Sequence, residues 1–316
     1  MSAIRKEGKI NENTTLIDIR MFGIHGAGAV YLIEGDKKCL IDAGTRKEAP
    51  HLVSALRKLN SFPPDLIILT HPHWDHAQGV PLLRKETHRQ GKKIEILASK
   101  EAIPLLADGS FNDVYGGGPY ESIENVTPVK EGDEIDLGGL KLLIYDVPGH
   151  CKGHIAVFDI KNKNLFVGDS LGNKLSDKMF IAPFTPPCWD REAFTASVNK
   201  LRQIPYETLC LAHFGCIAET EARSILDESV ATCNFWWQFY EKNAQRLDDT
   251  AYLLHEVQKA INPSAKIKPM SFGKVAFIHV MSALGIEAAR RIEVFQDNLR
   301  WLAKGYSIYK SAHPGV

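Results

Sequence analysis

The sequence predicts an α/β protein built on two packed β-sheets with helices outside them, followed by a helical C-terminal section. Three observations lead there. Short apolar runs alternate with amphipathic stretches in two successive blocks, one up to residue 98 and one from residue 140. Four of those runs lead straight into a histidine or an aspartate. Turn residues then thin out after about residue 218.

The first block opens with Val30–Glu34 and Lys38–Asp42 around Gly35-Asp36, the pattern of a hairpin. Residues 47–59 follow as an amphipathic helix with Leu52, Ala55, Leu56 and Leu59 on one face, ended by Pro63-Pro64. Leu66–Leu69 is fully apolar, as a strand buried on both faces must be. Val80, Leu82 and Leu83 mark a helix, and Ile94–Ala98 a further strand. In the second block, Leu140–Val147, Ile155–Ile160, Leu165–Val167 and Leu209–Ala212 read as strands. Residues 190–203 read as a helix with Asp190 as its N-cap. No strict repeat relates the blocks. Gly109–Pro119, with Gly116-Gly-Gly118, reads as a long flexible loop flanking a site. Glu219–Ile261 and Val275–Tyr309 carry helical spacing, giving three to five helices. The expected division is a catalytic domain over 1–218 and a helical cap over 219–316.

The chain has 316 residues, with 38 Lys+Arg against 38 Asp+Glu and a pI near 7.2. Zero net charge argues against nucleic-acid binding through bulk positive charge. The longest nearly apolar stretch, Val275–Ile286, is too short to span a bilayer. The N-terminus shows no signal-peptide pattern. The six cysteines form no Cys-x-x-Cys pair, which suits reduced thiols in the cytoplasm.

The strongest chemical signal is Thr70-His-Pro-His-Trp-Asp-His-Ala-Gln-Gly79. His71 and His73 lie two apart on extended chain and can point the same way. Asp75 and His76 come where the chain turns toward a helix. Four donors within six residues can serve more than one metal ion. Tyr145-Asp-Val-Pro-Gly-His150, Leu165-Phe-Val-Gly-Asp169 and Leu209-Cys-Leu-Ala-His213 each end an apolar strand on a further donor. Imidazole and carboxylate suit Zn²⁺, Fe²⁺ or Mn²⁺. Two such ions roughly 3.5–4 Å apart can share a hydroxide that is nucleophilic at neutral pH. Asp75 could orient that water or shuttle its proton.

His-x-His-x-Asp-His, Pro-Gly-His, Gly-Asp and His, in this order, resemble the metallo-β-lactamase superfamily over about residues 15–218. Leu40-Ile-Asp-Ala-Gly44 is similar to the family's early strand, whose Asp supports the ligands. The resemblance implies an αββα sandwich with its site at one edge between the sheets. It also implies that His71, His73 and His150 bind one metal, that Asp75, His76 and His213 bind a second, and that Asp169 bridges them. His154, in Pro148-Gly-His-Cys-Lys-Gly-His154, matches a pattern of the glyoxalase II branch and is either a support for the ligands or a core residue. His279, in a late apolar run, is either a core residue or a substrate contact. His25, His51, His88, His255 and His313 read as ordinary histidines, and Gly23–Gly28 lacks the spacing of a phosphate loop.

The spacing between motifs leaves no room for the clamp domain of the nuclease branches, and no flavodoxin module is visible. The layout resembles glyoxalase II. The helical tail more resembles the quinolone-signal response thioesterase, whose helices cover a mostly apolar acyl site. The expected function is therefore a dinuclear metal-dependent hydrolase. A metal-bridging hydroxide would cleave a thioester, ester or lactone, with zinc taken first and iron or manganese as alternatives. The expected partner is a small molecule with an activated carboxyl group, with no nucleic acid and no membrane. Phe235-Trp-Trp-Gln-Phe-Tyr240 reads first as helix packing, and otherwise as an acyl pocket or the interface of a homodimer. The alternative functions are a mononuclear iron persulfide dioxygenase and a regulatory protein that retains the metal site.

Overall fold

The computed structural model describes residues 7–115, 119–176, 179–261, 278 and 280–314. His279, Gly116–Gly118 and the residues from 262 to 277 lie outside the described residues.

A seven-stranded sheet is built from β1 (Gly8–Lys9), β2 (Thr14–Asp18), β3 (Ala29–Glu34), β4 (Lys38–Ile41), β5 (Leu66–Ile68), β6 (Glu95–Ser99) and β7 (Thr127–Val129), in that spatial order. Strands β1 to β4 run antiparallel, and β4 to β7 run parallel. Helices α1 (Ala49–Lys58), α2 (Trp74–Ala77), α3 (Val80–His88) and α4 (Ile103–Asp108) make the connections. The expected hairpin is present, with Tyr31 opposite Ile41.

The second sheet contains β8 (Glu134–Asp136), β9 (Lys141–Asp146), β10 (Ile155–Asp159), β11 (Asn164–Phe166), β14 (Thr208–Leu211) and β15 (Gly215–Ala218). β12 (Asn173–Ser176) and β13 (Met179–Ile181) pair separately. Helix α5 (Arg191–Gln203) precedes β14, and the Asp190 side chain accepts the Ala193 N–H at 2.9 Å, as its N-cap role requires.

Strand periodicity sorts the side chains into two cores. On β3, Tyr31 and Ile33 face the second sheet, while Val30 and Leu32 pack with Leu52, Leu56, Val80 and Leu83 of the helices. On the far side of the second sheet, Phe194, Val198 and Leu201 of α5 join its core. The layers are therefore helix, sheet, sheet, helix. The Tyr31 hydroxyl reaches the carbonyls of Leu211 (2.6 Å) and Gly215 (3.0 Å), tying one sheet to the other.

Two local expectations need correction. Leu59 is 43% exposed, because α1 ends before it, and Val53 takes a buried place instead. Within the segment read as a flexible loop, Ser110–Tyr115 form a helical turn, held because its Asn112 side chain accepts the Trp74 N–H and donates to the Pro72 carbonyl.

The C-terminal section has three long helices among the described residues, α6 (Glu219–Lys242), α7 (Thr250–Ile261) and α8 (Glu287–Ala312). Of the Phe235–Tyr240 cluster, Trp236, Trp237, Phe239 and Tyr240 are buried inside the chain. Trp237 meets Tyr306 and Tyr309 of α8, and the Tyr240 hydroxyl donates to the Leu299 carbonyl at 3.0 Å. Packing is thus the role of these aromatic rings. They belong to one core with the second sheet.

Candidate metal centre

The parallel pairs β4–β5 and β11–β14 bring four C-terminal strand ends to one edge of the sandwich. Asp42 leaves β4, His71 leaves β5, Asp169 leaves β11 and His213 leaves β14. His150 follows β9 and His154 precedes β10 at the same edge, since those strands are antiparallel. Backbone hydrogen bonds from Ile155 N–H to Thr70 O (2.9 Å) and from Ala29 N–H to Ala212 O (2.8 Å) sew the sheets together there. His73 is extended and α2 begins at Trp74, so Asp75 and His76 turn back toward the two histidines.

The structure brings all seven predicted donors together. Three groups form: His71, His73 and His150; His71, His76 and Asp169; and Asp75, His76 and His213. Within each, one donor atom per residue lies within 4.8 Å of the others. Six of the seven are buried, and Asp75 is partly exposed. His71 Nε2 and His150 Nε2 stand 3.0 and 2.9 Å from His73 Nδ1, and His213 Nε2 stands 3.3 Å from His76 Nε2. Asp169 Oδ1 is a buried oxygen without a hydrogen-bond donor. Lone pairs aimed at common points, with an acceptor oxygen among them, fit divalent cations better than they fit one another.

Each converging imidazole is oriented from behind through its other ring nitrogen, as metal-binding histidines usually are. His71 Nδ1 lies 3.0 Å from Thr70 Oγ1, and His76 Nδ1 lies 2.8 Å from Asp42 Oδ2. His150 Nδ1 donates to the Pro183 carbonyl (2.6 Å) and His213 Nδ1 to the Ala27 carbonyl (2.5 Å). His73 Nε2 lies 3.2 Å from the Tyr115 hydroxyl. Asp42 also accepts the Thr70 N–H and hydroxyl, so one carboxylate orders both His71 and His76.

His154 is fully buried and sits behind the donors. Its ring stacks on His71 at 4.6 Å, and its Nε2 accepts the Asp169 N–H at 3.1 Å. Gly168 makes that close approach feasible. It has φ +50°, and a Cβ there would stand 2.6 Å from Thr70 Oγ1 and 2.9 Å from His154.

Electrostatically the cluster has two halves. Burial pushes His71 and His73 well below the ordinary imidazole value, and neighbouring imidazoles add to this. Burial also lowers His150. At His76 and His213 burial acts the same way, but Asp169 and Asp75 outweigh it and hold both up. Burial opposes ionisation of Asp75, yet His76 and His213 keep its carboxyl below the usual range.

Thr70 and Tyr115 were not singled out by sequence reasoning. Thr70 precedes the first histidine, where a hydroxyl is a readable clue. Tyr115 lies 42 residues from His73, and only folding joins them.

The metallo-beta-lactamase superfamily is matched over residues 23–213. A metallo-beta-lactamase fold-containing protein of Sulfurisphaera tokodaii, ST1585, is 30% identical over 202 residues, 60% of this chain and 73% of that protein. A hydroxyacylglutathione hydrolase of Ruegeria pomeroyi is 28% identical over 273 residues, 84% of this chain and 91% of that one. Among solved structures, the subclass B3 metallo-beta-lactamase BJP-1 of Bradyrhizobium japonicum shares the fold at 19% identity. Its TM-score is 0.59, over 77% of this chain and 97% of that one. The match covers most strands of both sheets and every converging donor, and the chain therefore belongs to the metallo-β-lactamase superfamily, as one of its metal-dependent hydrolases.

Proposed function

We propose that the protein hydrolyses a thioester, ester or lactone of a small carboxylic acid at a centre for two divalent ions, zinc first and iron or manganese as alternatives. His71, His73 and His150 would hold one ion, and Asp75, His76 and His213 the other, with Asp169 between them. The observation that carries this reading is the convergence of these donors in three overlapping groups. The relative named a hydroxyacylglutathione hydrolase, aligned over 84% of the chain, supports a thioester.

Bound ions would supply an acidified water and polarise the substrate carbonyl. The chain's own residues do the rest. Asp75, 3.3 Å from His213 Nε2 and held ionised, would orient the attacking water and take its proton on a carboxylate oxygen. A cavity of about 310 Å³ has Asp75 and His213 in its wall. Met21, Phe22 and Ile24 form one side of it, and Val294, Phe295 and Trp301 of α8 another. Such a surface excludes water and suits an apolar acyl group, while Asn173, Ser176 and Asn298 add polar contacts. In this reading residues 219–316 form a cap whose last helix shapes substrate choice. A cytoplasmic location and a homodimer are further parts of the proposal.

The test joins metal analysis of protein purified without chelator to a panel of thioesters, esters and lactones. Two equivalents of metal per chain and turnover abolished in Asp75→Ala are expected. One equivalent of iron with oxygen uptake on glutathione persulfide would replace hydrolysis by dioxygenation. No metal on reconstitution, or turnover unaffected by Asp75→Ala, would overturn the reading.

A further inference from the structure

Four of the five converging imidazoles are braced by groups of the sandwich or of the loop at Pro183. The fifth is not. His73 presents Nδ1 to His71 and His150, and its Nε2 meets the Tyr115 hydroxyl at 3.2 Å. That hydroxyl donates onward to the Pro186 carbonyl, so it is left to accept the His73 Nε2–H. The relay selects the tautomer in which Nδ1 keeps its lone pair for the site. Phe111, from the same helical turn, stacks on the His73 ring at 5.1 Å and 17°. Asn112 grips the backbone on either side through Pro72 and Trp74. The turn over residues 110–115 thus holds one donor of the motif by its hydrogen bond, its ring face and its backbone.

Tyr115 is itself held from the C-terminal helix. Trp301 of α8 packs edge-on against it at 5.5 Å and 83°, and the same indole lines the cavity beside Asp75 and His213. We propose that Tyr115 is a positioning residue for His73. Through the Trp301 contact, α8 sets how tightly the His71, His73 and His150 group binds its ion. The inference rests on the reading of that group as a metal site. It assigns α8 a role in metal retention beyond shaping the cavity.

Tyr115→Phe removes only the hydroxyl and keeps the packing. Zinc affinity is read by competition with a chromophoric chelator, and the coordination by the visible absorption of the cobalt-substituted protein. Loss of an outer hydrogen bond to a ligating histidine typically costs about 10–100-fold in metal affinity. The expected result is a loss of that size for one equivalent of zinc, with altered cobalt bands and an unchanged far-ultraviolet circular dichroism spectrum. Trp301→Ala should weaken the same equivalent, and the double variant should lose less than the sum of the two. Unchanged zinc affinity and cobalt bands in Tyr115→Phe would overturn the positioning role. Strictly additive losses would overturn the link to α8. A wild-type protein that takes up neither zinc nor cobalt would instead sink the metal reading on which both depend.

Discussion

All seven converging donors lie between residues 71 and 213, on strand ends or on the turn that follows β5. Helix α8 offers no donor, yet it gives the cavity Val294, Phe295, Asn298 and Trp301. At the sandwich edge each of the five imidazoles is held by a directed hydrogen bond to a carbonyl, Thr70, Asp42 or Tyr115. In the C-terminal helices the hold is apolar burial, as where Trp237 meets Tyr306 and Tyr309. The difference teaches a division of labour. Metal chemistry demands angular precision, which a hydrogen-bonded sheet edge provides. In the proposed function substrate choice demands shape, which the side chains of a packed helix would supply, with Trp301 as the contact that reaches back through Tyr115 to a donor.

The sharpest way to break this division is at Asp169, which the proposed function places between the two ions. Asp169→Ala should lower turnover by at least about 10³-fold, a loss of roughly 4 kcal/mol in the transition state. It should also reduce metal content, whereas an unchanged metal-to-protein ratio would refute a bridging role. Asp42→Ala tests the support behind the donors. Without it Thr70 and His76 lose their anchor, and metal affinity should fall about 10–100-fold, as read by chelator competition. Trp237→Ala tests the helices alone. It should destabilise by about 3–5 kcal/mol in denaturant titration, because it empties a well-packed aromatic site. Zinc affinity should stay unchanged, and a parallel loss of metal would mean that the regions are not separable there. The smallest effect is expected for Val294→Ala at the cavity wall. It should shift KM between short and long acyl substrates by about tenfold, within the range of one to two methylenes, with kcat retained. A fall in kcat alone would instead place Val294 in the catalytic machinery.

Much of this was legible in advance where local pattern and final contact coincide. Leu66–Leu69 reads as a buried strand because it is apolar on both faces, and it is one, between β4 and β6. His71, His73, Asp75 and His76 read as donors because they crowd into six residues behind that strand. Asp190 reads as a cap from its position alone. The misses have physical causes. β1, β7 and β8 span only two or three residues each and have no pattern of their own. The turn at 110–115 is glycine-flanked and reads as loose, but contacts with residues 72–74 organise it.

By itself the sequence determined the order of the main apolar strands and amphipathic helices, the donor types and their placement just beyond apolar runs. Those properties are local, set by side-chain period and by the chain reversal after each run. Which donors face one another, which imidazole nitrogen each presents, and that Tyr115 and Trp301 stand behind His73 were decided only by the tertiary structure. The reason is sequence separation. Tyr115 lies 42 residues from His73, and His150 lies 77. His150 meets His73 only after the two sheets have packed face to face, and Tyr115 only after the turn at 110–115 has docked on residues 72–74.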